Sequence, residues 1–71
     1  MKTSPYTPMI RRTLAERGLI GTDPILVEVW MRLEFGTLDA LSPARFAIEV
    51  EAAAACVHAD PETSRRLAAT Y

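Results

Sequence analysis

Four times in this chain a side chain that caps helices is followed directly by proline: Thr7-Pro8, Asp23-Pro24, Ser42-Pro43 and Asp60-Pro61. A Ser, Thr or Asp oxygen accepts from the orphan N–H groups of a first helical turn, and proline at the first helical position gives up a donor that had no partner. Each pair therefore predicts a helix start. Glycines supply the stops, Gly18 for the first segment and Gly36 for the second, because a residue without Cβ enters the left-handed region easily. The expected helices run over Pro8 to Arg17, Pro24 to Phe35, Pro43 to Ala59, and Pro61 towards Tyr71. A short turn or single helical turn is expected over Thr37 to Leu41. No stretch alternates with period two beyond a few residues. The predicted fold class is all-α, a compact bundle of about four short helices in one domain over 1–71, with residues 1–6 as a flexible lead.

At 71 residues the chain has no room for a second core, and a domain of this size buries only about 60% of its unfolded surface. Cys56 is the single cysteine, so no internal disulfide can compensate, and one thiol suits a reducing compartment. Helix quality and self-association remain as sources of stability. The longest uninterrupted apolar stretch, Ala52 to Val57, falls far short of a membrane span, and the N-terminus lacks the apolar region of a secretion signal. The expected setting is cytoplasmic, with no membrane partner.

Placing residues at 100° steps separates the faces. In the third helix Phe46, Val50, Ala53 and Val57 form the expected core stripe, edged by Ala47 and Ala54, while Ile48, Ala52, Ala55 and Ala59 make a weaker stripe opposite. Arg45 with Glu49, and Glu28 with Arg32, are i,i+4 pairs. In the last helix Leu67 and Tyr71 share a face. The second helix is apolar almost all round: Ile25, Leu26, Val29, Trp30 and Leu33 fill a broad arc suited to the core, and Val27, Met31 and Phe35 form a second stripe. Two apolar faces on one helix need two partners. Either this helix is central and touched by the other three, or Val27, Met31 and Phe35 form an exposed patch for another chain.

Catalytic chemistry finds little material. His58 and Cys56, each the only one of its type, sit two residues apart and so point to different sides of a helix. Cys56 is expected to be a small packing residue and His58 a surface or helix-end residue. No Gly-rich phosphate loop and no multi-ligand metal pattern occurs, so neither an enzyme nor a cofactor or metal site is expected. A helix-turn-helix reading would make the third helix a recognition helix, but its opening, Pro43 to Glu49, carries one arginine among apolar residues. Charge is also divided against it, since Lys2, Arg11, Arg12 and Arg17 against Glu16 make the N-terminal quarter positive and residues 39–62 are negative. Contacts to phosphate or to an acidic partner would fall to Arg11, Arg12, Arg17 and Arg45.

The leading expectation is thus a small non-enzymatic interaction or regulatory protein that docks a helix face on a protein partner or on itself as a homo-oligomer, with Val27, Met31 and Phe35 as the interface. A helix-turn-helix-like nucleic-acid binder is the alternative. Small Ala- and Arg-rich chains of this kind are common among bacterial, plasmid and phage accessory proteins, inhibitors and regulators included.

Overall fold

Three of the four capping pairs act as the local chemistry dictates. In the computed structural model, which describes residues 4–70, α2 (Pro24–Phe35), α3 (Pro43–Ala59) and α4 (Pro61–Thr70) each open on the proline of a pair. Asp23 Oδ1 accepts from the Ile25 N–H at 2.9 Å, Ser42 Oγ from Arg45 at 3.2 Å, and Asp60 Oδ1 from Thr63 at 3.0 Å. The first helix departs from expectation: α1 spans Tyr6–Glu16, and Thr7 lies buried inside its first turn instead of capping it. The cap position falls on Pro5, which offers no side-chain acceptor. Ser4 takes over part of that task, its Oγ accepting from the Tyr6 N–H at 3.1 Å. Within the segment expected as a flexible lead, Ser4 also donates to Glu28 and Tyr6 opens α1. Residues 1–3 and Tyr71, with its expected place beside Leu67, lie outside the described residues.

Both glycine stops hold, by different geometries. Gly18, at φ 74, completes a Schellman ending in which the Leu19 N–H reaches the Leu14 carbonyl at 2.7 Å and the Gly18 N–H reaches that of Ala15 at 3.2 Å. Leu19 turns inward on the core while Ile20 projects into solvent. Gly36, at φ 73 and ψ -71, sits at the centre of a γ-turn closed by Thr37 N–H to the Phe35 carbonyl at 2.8 Å. The segment that follows is a turn rather than a helical turn, and Leu38 from it plugs the core.

The main core gathers Ile10 and Leu14 from α1, Val27 and Met31 from α2, Leu38, and Phe46, Val50, Ala53, Ala54 and Val57 from α3. The α3 stripe matches its prediction. α2 is the central helix, touching α1, α3 and α4, whereas α1 and α4 do not meet. Helix α4 adds no residue to the main core. It is tied on elsewhere, through the Trp30 indole and Ser64.

Candidate functional site

The structure corrects the expected interface. Val27 and Met31 are fully buried in the main core, and Phe35 packs partly against it with the Arg45 guanidinium 6.0 Å from its ring centre. A residue already enclosed by its own chain has no surface to offer a partner. The arc expected to be core is only partly so: Val29 is buried, Ile25, Leu26 and Trp30 are half-buried, and Leu33 is 47% exposed. The central position of α2 explains this, because a helix with three neighbours buries most of its girth.

Apolar surface is left over on α3 instead. Ala44, Ile48, Ala52, Ala55 and Ala59 all face solvent, and Ile48 is 59% exposed. Surface helices normally carry charged and polar residues on this side. Here the charges stand on the flanks: Arg45 is paired with Glu49 at 2.6 Å on one, and Glu51 reaches Arg17 at 3.8 Å on the other. Beside the stripe, Trp30, Leu33 and Glu34 of α2 with Ala52, Ala53 and Cys56 of α3 border an open groove of about 350 Å³. Cys56, expected to be a packing residue, is an exposed thiol on this groove. α3 turns Ala53 and Ala54, not Cys56, inward on the core.

Two other depressions are present. Met9, Leu38, Leu41 and Phe46 floor a groove of about 460 Å³ between α1 and the start of α3, with Arg12, Glu16 and Asp39 at its edge. A smaller one, about 330 Å³, lies by Thr22, His58 and Arg65. There His58 Nε2 and Thr22 Oγ1 share a 2.8 Å hydrogen bond that fastens the loop before α2 to the end of α3.

The four arginines expected to contact phosphate or an acidic partner do not share one role. Arg17 and Arg45 are held by Glu51 and Glu49, while Arg11 and Arg12 stand exposed on α1 and form no ion pair among the described residues. Nor does any group of three or more His, Cys, Asp or Glu gather as a metal site among those residues. The Asp60 carboxyl is held below its ordinary range, chiefly by the hydrogen bonds it accepts from Thr63 and further by the Arg66 cation.

Sequence reasoning missed the polar centre of the fold. Glu28 is 0% exposed, and its carboxylate accepts from Ser4 Oγ at 2.7 Å, Thr7 Oγ1 at 2.8 Å and Arg32 Nε at 2.9 Å. A charge can be buried when every oxygen is met in this way. Arg32 in turn lies 5.7 Å from the Tyr6 ring centre. The signal was a single glutamate inside an otherwise apolar run, with two hydroxyls three residues apart upstream. This cluster fastens the start of the chain to α2 and leaves no reactive group free.

No known protein family, no curated protein and no solved structure matches this chain.

Proposed function

We propose that the chain is a non-enzymatic interaction module that docks a protein on the outer face of α3, widened by Leu33 at the edge of α2. One observation carries the reading: Ile48 stands 59% exposed at the head of a helix face on which every other residue is alanine. An apolar side chain of this size gains about 1.5–3 kcal/mol when a partner covers it fully. Around it, alanine lets a second backbone approach closely. The nucleic-acid alternative has less support, because two of its four arginines are already paired with carboxylates and α3 turns apolar groups outward where a recognition helix presents hydrogen-bonding ones.

The test uses Ile48→Lys and Ala52→Glu, two changes at exposed positions that leave the core untouched. In extracts of its native cells the protein should run well above 7.8 kDa, and both substitutions should return it to that mass at unchanged helix content. A complex that survives both substitutions would refute the reading.

A further inference from the structure

We infer that the occupant of the outer face of α3 is the same face of a second copy of this chain, laid antiparallel across it about Ala52. The inference rests on the interaction reading above and names its partner. Shape gives the first argument. Residues three and four apart are neighbours on a helix surface. Antiparallel pairing about Ala52 sets Ile48 of one copy opposite position 56 of the other, so its side chain enters the hollow edged by Ala52, Ala55, Cys56 and Ala59. The large residue at one end of the stripe meets the small residues at the other, and does so twice by symmetry. Parallel pairing would set Ile48 on Ile48 and hold the alanines apart across a void.

Charge gives the second argument. Arg45 lies at the start of α3 and Asp60 just past its end, and on a helical projection both fall on the same flank of the stripe. A two-fold axis that reverses the helix keeps that flank on its own side, so Arg45 of each copy comes beside Asp60 of the other. In the parallel arrangement the two-fold axis runs along the helices and exchanges the flanks, so Arg45 of one copy lies at the opposite end from Asp60 of the other and gains no such partner. Helix dipoles favour the antiparallel choice in the same sense. On the opposite flank the two Glu51 side chains approach across the axis, each already beside its own Arg17. The footprint of one helix is small beside the roughly 1,200–2,000 Å² of a stable complex, so the dimer is concentration-dependent.

The experiment is sedimentation equilibrium of the full chain from about 5 µM to about 1 mM, a range chosen to bracket weak association, with the alkylation rate of Cys56 followed over the same range. The mass should climb from 7.8 kDa towards twice that value, and alkylation should slow by tenfold or more as Ile48 of the second copy covers the thiol. Ile48→Lys and, independently, Ala55→Glu should keep the mass at 7.8 kDa and alkylation fast throughout, with helix content unchanged. A wild-type mass fixed at 7.8 kDa overturns the second copy as partner, while the docking reading is judged separately by the extract experiment. A dimer that persists in both variants, or that leaves Cys56 as reactive as in the monomer, overturns the interface itself.

Discussion

The indole N–H of Trp30 donates to Ser64 Oγ at 2.8 Å, and the same hydroxyl donates onward to the Asp60 carbonyl at 2.8 Å. One fully buried serine thereby joins the middle of α2 to the first turn of α4. Replacing it strands a half-buried indole donor. Ser64→Ala should cost about 1–3 kcal/mol in urea denaturation. Trp30, the only tryptophan, should report the change as a shift in its fluorescence. An unchanged spectrum and midpoint would mean that this bond does not hold α4.

Glu28 and Thr7 make the second case. Thr7→Val keeps the shape of the side chain and removes only the hydroxyl that donates to Glu28 Oε1. A hydrogen bond to a charged group contributes about 1.5–3 kcal/mol, and that is the loss expected. In a Glu28→Gln background Thr7→Val should cost clearly less, since the charge that needs the donor is gone. Equal losses in the two backgrounds would show that Thr7 acts through packing alone.

Met31 and Leu33 are two residues apart on α2 and should respond oppositely to truncation. Met31→Ala removes a fully buried side chain and should cost about 2–5 kcal/mol. Leu33→Ala removes one that is half in solvent and should stay within about 0.5 kcal/mol in the dilute monomer. Thermal or urea denaturation at low protein concentration decides the comparison, and a reversed order would place the core on the wrong side of α2.

Acid should weaken α4 through Asp60. Its folded pKa lies below the ordinary aspartate range because Thr63 donates to the carboxylate. A lowered folded pKa means that the stabilisation is complete above the unfolded value and disappears as pH falls through the folded one. Asp60→Asn should therefore flatten the stability profile below about pH 4 and change little of its slope near neutrality. An unaltered acid limb in that variant would show that the loss originates in other carboxylates.

How far the fold was legible follows from where the information lies. The starts of α2, α3 and α4 are written in adjacent residues, a capping oxygen and a proline, and such local chemistry needs no knowledge of the rest of the chain. Thr7-Pro8 carries the same local signal and yet is no cap, because the Thr7 hydroxyl is drawn to a carboxylate 21 positions away. That competition is invisible until the tertiary structure exists. The rotation of α2 was illegible for a related reason: with apolar residues on nearly every side, the pattern has no polar face to orient it, and its most central charge, Glu28, is buried. On α3 the contrast between Val50 and Ile48 was clear from spacing alone, so the exposed stripe was visible in the sequence. That it, rather than Val27 and Met31, remains uncovered was not.

The absence of α4 from the main core bears on how the molecule comes apart. Every residue of that core belongs to α1, α2, α3 or the turn at Leu38, so the fourth helix can swing away while the hydrophobic cluster stays closed. Amide exchange should then proceed in two tiers, with α4 losing protection at a lower free energy than the centre of α2 and α3. Assembly has the same seam. Along that seam the first three helices should gather before the last one docks.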